Sequence, residues 1–142
     1  MDEKQDIRWL QRFNSFQLAL GKLKEVVNHY KPEALSELEK EGLIQRFEYT
    51  YELSWKMLQD LLRYRGYTDI KGPTPTLQQA FKDDYITDHD GWRTMKRGRE
   101  ATSHTYNKAD AAKIVEDIYE KYAKLLIELE NTMLKIQEEE NN

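Results

Sequence analysis

The chain has no cysteine and few residues that interrupt helices, with six glycines and three prolines among 142 residues. The lack of cysteine excludes disulfide frameworks, thiol catalysis and zinc sites built on cysteine. Valine is also scarce, with 3 residues against 16 leucines and 8 isoleucines. Because β-branched residues favour strands and leucine favours helices, this composition argues against an all-β domain.

Long apolar runs are missing as well. No stretch approaches the roughly 18 apolar residues of a membrane span, and the first residues lack the apolar centre of a signal peptide. We therefore expect a cytoplasmic protein with no membrane contact. The length predicts a single domain over residues 1–142, and the net charge of −4 argues against tight, non-specific binding of nucleic acid.

Helical periodicity runs through three long segments, residues 5–30, about 34–65 and about 108–138. In each of them, apolar residues recur at spacings of three and four, the pattern of an amphipathic helix. Pro32 cannot continue a helix and Gly66 is suited to the position after one, so we expect the first two helices to end there. The second segment is apolar on two sides, as in a central helix or one that also faces a partner.

Two further helices are predicted between the second and third segments. Thr74 and Pro75 are suited to the cap and first residue of a short helix, and Asp88 is a second N-terminal signal. The polar run over residues 102–105 predicts the end of that second helix or a kink in it. The sequence thus predicts an all-α fold, an up-and-down antiparallel bundle of four main helices plus a short one, with residues 137–142 as a frayed tail.

Familiar catalytic and cofactor motifs are absent. The sequence has no glycine-rich phosphate loop, no HExxH pair, and three histidines that lie far apart. His89 stands between Asp88 and Asp90, but such a cluster is more often a helix cap than a metal site. We therefore expect neither a metal nor a cofactor.

One window of this acidic chain is basic. Four cations lie within seven residues, followed by a histidine, in the order Arg93, Lys96, Arg97, Arg99 and His104. Arginine donates two hydrogen bonds to a phosphate and keeps its charge, whereas histidine can move a proton at a ribose hydroxyl or a leaving oxygen. Together they are the minimum for metal-independent RNA cleavage; the alternative is a solvated basic face.

Helix geometry limits which arginine can act with the histidine. On an unbroken helix Arg97 and His104 would share a face, about 10 Å apart along the axis. Arg99 and His104 would point about 140° away from each other. Arg99 can therefore serve the same site as His104 only if the helix ends or bends near residues 101–103.

Two segments resemble the signatures of a known family. Residues 44–56, IQRFEYTYELSWK, and residues 102–107, TSHTYN, are similar to those of nucleotidyltransferase substrate-binding proteins, the HepT-like branch of the HEPN superfamily. The resemblance implies an antiparallel helical bundle that forms a homodimer and partners a minimal nucleotidyltransferase encoded nearby. It also implies an RNase toxin, a metal-independent endoribonuclease that the nucleotidyltransferase silences by adding AMP to a tyrosine.

The resemblance also implies roles for single residues. Arg99 would bind phosphate, His104 would act as the acid or base, and Tyr106 would receive the AMP. The family commonly has asparagine after the motif arginine, whereas this chain has Glu100. Its carboxylate would repel RNA unless it points away and pairs with Lys96 one turn earlier. Arg97, at the longer spacing, is an alternative to Arg99.

Neighbouring residues of the first signature have simpler interpretations. Tyr49, Tyr51 and Trp55 are expected in the core or in a dimer interface, because aromatic stripes at helical spacing are rarely ligand sites. Glu48 and Glu52, one turn apart, could contact the basic window, but solvated like charges are the commoner case and the one we expect.

Three functions remain open from the sequence. The first is a toxin-like RNase regulated by AMP addition. The second is a non-catalytic module that binds a nucleotide or substrate and presents it to the nucleotidyltransferase, which Glu100 mildly favours. The third is a structural, dimerising bundle without any link to nucleotides.

Overall fold

A computed structural model of the chain describes residues 3–104 and 107–140, and the described residues form helices without any strand. Within them, six α-helices follow in chain order as α1 Glu3–His29, α2 Glu37–Tyr64, α3 Pro73–Lys82, α4 His89–Thr102, α5 Lys108–Asp117 and α6 Ala123–Glu140. A 3-10 turn, Pro32–Ala34, lies between α1 and α2, and a π-helical turn, Ile118–Tyr122, joins α5 to α6 without a break. The predicted bundle of four main helices plus one short helix is confirmed.

The core lies between α1, α2 and the continuous helix formed by α5 and α6. The contact between α1 and α2 is the most extensive, while α6 packs on α1 and α5 packs on α2. The predicted apolar stripes supply this core, and its largest fully buried side chains are Trp9, Tyr51, Phe13, Phe16 and Phe47. Complete burial of each of these phenylalanine side chains stabilises the fold by roughly 1.5–3 kcal/mol. None of the described helices has the length and apolar character needed to cross a membrane.

Both ends of α2 are fixed by local hydrogen bonds. The Ser36 hydroxyl accepts from the Glu39 N–H at 3.1 Å, and the Glu39 carboxylate accepts from the Ser36 N–H at 2.8 Å. At the other end Gly66 has a φ of +107°, and the Tyr67 N–H donates to the Leu62 carbonyl at 3.1 Å. This is the left-handed helix stop predicted for Gly66, and it is confirmed.

The start of α3 differs from the prediction. Gly72, rather than Thr74, is the capping residue, with a φ of +82°, and Pro73, rather than Pro75, is the first helical residue. The Gly72 N–H donates to the Gln59 side-chain oxygen at 2.9 Å, which ties the cap to α2. Pro75 is tolerated inside the first turn because the N–H groups there have no helical partner in any case.

A close contact sets the position of α4. Gly98 packs against Tyr122 of the π-helical turn, and a Cβ at Gly98 would meet the Tyr122 ring atoms at about 3.0 Å. The Tyr122 ring also stacks on Phe47 of α2, with 5.2 Å between ring centroids. Glycine at this one position therefore lets the basic helix approach the core.

Of the two places predicted for Tyr49, the core or a dimer interface, the core of the single chain is excluded, because Tyr49 is 61% exposed. The last helix is longer than predicted. Helix α6 continues to Glu140, three residues past the start of the tail predicted to fray, and Glu140 Oε1 lies 2.8 Å from Arg65 Nη2.

Candidate functional site

The basic window lies on α4, whose start is fixed by Asp88. Its side chain accepts from the Gly91 N–H at 2.8 Å, which confirms the predicted cap. His89 stacks on Phe81 with 4.7 Å between ring centroids. Across residues 3–104 and 107–140 no cluster of three potential metal ligands occurs.

The end of α4 brings Arg99 and His104 together. The helix ends at Thr102, and the next turn is tighter, since the His104 N–H donates to the Ala101 carbonyl at 3.0 Å. As a result both side chains line one cleft of about 370 Å³, called here the Arg99 cleft, which is bordered by Tyr51, Glu52, Pro73, Lys96, Arg99, Glu100, Ser103 and His104. On an unbroken helix Arg99 and His104 would point away from each other. Because α4 ends at Thr102, the two side chains can border the same cleft.

Arg97 faces a different cavity. A cleft of about 390 Å³, the Arg97 cleft, lies between α3 and α4 and is bordered by Thr74, Leu77, Gln78, His89, Trp92, Arg93, Lys96 and Arg97. Lys96 borders both clefts, so they adjoin along α4. Because Arg97 and His104 line different clefts, this arrangement favours Arg99 over Arg97 as the partner of His104.

Two carboxylates of α2 hold the Arg99 side chain. Arg99 Nη1 lies 3.1 Å from Glu48 Oε2, and Arg99 Nε lies 3.4 Å from Glu52 Oε1. All three side chains are about one-quarter to one-third exposed. The expectation that Glu48 and Glu52 are solvated like charges is therefore wrong. Two carboxylates one turn apart repel each other on an isolated helix, and Arg99 is the cation that compensates them.

The carboxylates are themselves held in place. The Thr102 hydroxyl accepts from Arg99 Nη1 at 3.1 Å and lies 2.9 Å from Glu48 Oε2. The Trp55 indole N–H donates to Glu52 Oε2 at 3.0 Å. Thr102 and Trp55 therefore fix the acidic side of the network, and Arg99 is both oriented and neutralised by it.

Glu100, the residue that departs from the family pattern, pairs with a neighbour. Lys96 Nζ lies 2.5 Å from Glu100 Oε1, which is the i, i+4 pair given above as an alternative, although Glu100 still borders the Arg99 cleft. The Glu100 side chain is 61% exposed, so solvent screens this pair and it adds little stability. The pair acts only locally, because it directs the Glu100 carboxylate toward Lys96.

The two clefts differ in charge. Lys96 and Arg99 of the Arg99 cleft are matched by Glu52 and Glu100. The described lining of the Arg97 cleft contains Arg93, Lys96 and Arg97 and no carboxylate. An excess of positive charge therefore lies beside the Arg99 cleft rather than within it, and this distribution is suited to holding a polyanion that extends across both.

Tyr51 is a member of the site that sequence reasoning placed only in the core or an interface. It is 2% exposed and borders the Arg99 cleft. Burial raises the pKa of its hydroxyl, the carboxylates of Glu52 and Glu100 raise it further, and Arg99 lowers it. The hydroxyl therefore stays protonated over the physiological range and can only act as a neutral hydrogen-bond group. The predicted modification site, Tyr106, lies outside the described residues.

Comparisons with known proteins identify a family, a curated relative and a similar solved structure. The family model described as "Nucleotidyltransferase substrate binding protein like" matches residues 11–135. A protein of Haemophilus influenzae named probable ribonuclease HepT is 32% identical over 87 residues, which cover 54% of this chain and 56% of that relative. This chain thus spans about half the length of that relative. A crystal structure of a Thermus thermophilus protein superposes with a TM-score of 0.71 at 32% identity, covering 80% of this chain and 94% of the other.

Proposed function

Because the chain belongs to the family of nucleotidyltransferase substrate-binding proteins, we propose that it is the RNase partner of a minimal nucleotidyltransferase. One observation carries this proposal: Arg99 and His104 line the same cleft. Arg99 lies on α4 and His104 follows the end of that helix, so their spacing of five residues does not separate them. The name of the Haemophilus influenzae relative, a probable ribonuclease, supports the same activity.

The cleft residues suit cleavage of RNA through its own 2′-hydroxyl. His104 accepts the proton of that hydroxyl, and the 2′-oxygen forms a bond to the neighbouring phosphorus. Arg99 stabilises the added negative charge of the phosphorane. The bond from phosphorus to the 5′-oxygen then breaks, and that oxygen takes a proton from water. The products are a 2′,3′-cyclic phosphate and a 5′-hydroxyl end, without any oxidant or cofactor.

The Arg97 cleft would hold the adjacent RNA backbone. Arg93 and Arg97 supply two cations beside the reacting phosphate, and Lys96, which pairs with Glu100, lies between the two clefts. Contacts of these side chains to phosphates carry no base preference. In this arrangement the Arg97 cleft provides affinity, while the Arg99 cleft provides the chemistry.

Regulation and assembly complete the proposal. Two copies pair as a homodimer, and the exposed Tyr49 on α2 is available for such a contact. The nucleotidyltransferase transfers AMP to Tyr106: the tyrosine oxygen attacks the α-phosphorus of ATP, pyrophosphate leaves, and the hydroxyl proton is released. Tyr106 follows His104 by two residues, so an added phosphate there would compete with RNA for Arg99.

Expression in a bacterial host tests the RNase function. The wild-type chain, expressed without its partner, is expected to slow growth and to fragment RNA, whereas His104→Ala is expected to do neither. Equal growth of the two strains, with intact RNA in both, would contradict the enzymatic function.

A second function is favoured by the neutralisation of Arg99. With Glu48 and Glu52 on its guanidinium, the cleft could serve a module that binds a nucleotide and presents it to the nucleotidyltransferase without cleaving RNA. Mass spectrometry after incubation with the partner and ATP separates the two functions. AMP on Tyr106 supports the regulated RNase, while reversible nucleotide binding without modification supports the module.

A further inference from the structure

Tyr51 carries a buried hydroxyl that is not used by the fold. Its side chain is 2% exposed, and Oη has no hydrogen-bond partner among the described residues. Buried polar groups in folded proteins are almost always hydrogen-bonded, and an unpaired one reduces stability. Tyr122, which is buried to a similar extent, instead has its hydroxyl 3.4 Å from the Thr94 carbonyl.

The side chain of Tyr51 borders the Arg99 cleft. The groups that act on its hydroxyl electrostatically, namely Glu52, Glu100 and Arg99, border it too. Arg99 Nε is a second buried donor of the same cleft without a hydrogen bond among the described residues, although Glu52 lies 3.4 Å away. The Tyr51 hydroxyl is thus a buried donor without a hydrogen bond among the described residues, in a side chain that borders the cleft where the reacting phosphate is expected.

We propose that Tyr51 is a further substrate-binding residue, whose hydroxyl donates a hydrogen bond to a phosphate oxygen of the RNA bound in the Arg99 cleft. This inference rests on the proposed RNase function. Because the donor is neutral, the carboxylates of Glu48 and Glu52 do not cancel it as they cancel the charge of Arg99. Hydrogen bonds to a charged acceptor are also stronger than those between neutral groups.

The ring of Tyr51 does not need the hydroxyl for packing. It lies against Phe47, 6.3 Å between ring centroids, in the apolar core. Phenylalanine would fill the same space and leave no unpaired donor. If the Tyr51 hydroxyl serves the ligand, it lowers the stability of the fold and raises the affinity for RNA. Removing the hydroxyl should therefore raise the stability and lower the affinity.

The test is Tyr51→Phe in a His104→Ala background, which binds RNA without cutting it. Tyr122→Phe in the same background is the control, because Tyr122 also packs on the Phe47 ring and does not border the Arg99 cleft. Titration with a labelled single-stranded RNA is expected to show at least about tenfold weaker binding for Tyr51→Phe and less than about twofold change for Tyr122→Phe. The midpoint of thermal unfolding is expected to rise for Tyr51→Phe.

Each outcome bears on the inference. A higher unfolding midpoint with unchanged RNA affinity would overturn it, because the hydroxyl would then have no ligand. A parent protein that binds no RNA would overturn it together with the RNase function. Cleavage by the wild type but not by His104→Ala, with equal binding by Tyr51→Phe and its parent, would leave the RNase function standing and remove the role of Tyr51 alone.

Discussion

Arg99 Nη1 lies 3.1 Å from Glu48 Oε2, and this ion pair joins the basic helix α4 to the central helix α2. Both side chains are about one-quarter exposed, so water screens the pair only partly. The contact has two consequences for a phosphate that enters the cleft. It orients the guanidinium beforehand, and it places a negative charge beside the position that the phosphate must occupy.

Substitution of Glu48 is expected to separate these two consequences. Glu48→Gln removes the negative charge, so we expect RNA to bind about threefold more tightly at low salt. The same change loosens Arg99 and Thr102, so we expect the cleavage rate at saturating RNA to fall about tenfold. Steady-state cleavage of a labelled RNA gives both values, as a lower KM and a lower kcat.

Glu41→Gln is the matched control for that substitution. Glu41 is an exposed carboxylate on the same helix α2 and has no ion pair with Arg99. We expect it to leave kcat unchanged. A Glu48→Gln protein that cleaves as fast as wild type would show that the ion pair does not position Arg99.

The Arg97 cleft is expected to control how strongly binding depends on salt. Arg93→Ala and Arg97→Ala each remove one expected phosphate contact, so the slope of log affinity against log salt should become shallower by about 0.7 for each. Lys82→Ala removes a cation that borders neither cleft, and its slope should match that of the wild type. Unchanged slopes for both arginine variants would mean that RNA does not cross this cleft.

A side chain larger than that of glycine at position 98 is expected to destabilise the fold. A Cβ there would meet the rigid Tyr122 ring at about 3.0 Å, so Gly98→Ala should lower the free energy of unfolding by about 1–3 kcal/mol. Gly42→Ala on α2 meets no atom within 4 Å and should instead raise it by about 0.5–1 kcal/mol, because alanine favours helices. Urea unfolding of the two variants measures both changes. A stabilised Gly98→Ala would show that α4 does not depend on this close approach.

Periodicity and end signals predicted the helices because they are local properties. The stripes on α1 and on the last helix, the stop at Gly66 and the cap at Asp88 all depend on residues within one or two turns of each other. The start of α3 was misplaced by two residues because its cap is set by a long-range contact, from the Gly72 N–H to Gln59 of α2. The contacts of the π-helical turn are also long-range, because Tyr122 packs against Gly98 of α4 and Phe47 of α2.

The candidate site could be predicted only in part, because some of its contacts join residues that are distant in the sequence. The cluster of cations and His104 is visible in the chain, and the polar run after Ala101 indicated that the helix could end there. A contact of Glu48 and Glu52 with the basic window was one alternative, but the sequence could not favour it, because the two carboxylates lie about fifty residues from Arg99 and meet it only in the folded bundle. A carboxylate pair one turn apart on a helix that is apolar on two sides is the signal that could have indicated a missing cation.

The central claim is that His104 and Arg99 cleave RNA without a metal, and its most direct measurement is cleavage of a labelled RNA by purified protein in excess EDTA. We expect the wild type to release fragments ending in 2′,3′-cyclic phosphate. His104→Ala is expected to bind the same RNA with unchanged affinity and to release none. Fragments of the same kind and amount from His104→Ala, or none from the wild type, would contradict the account.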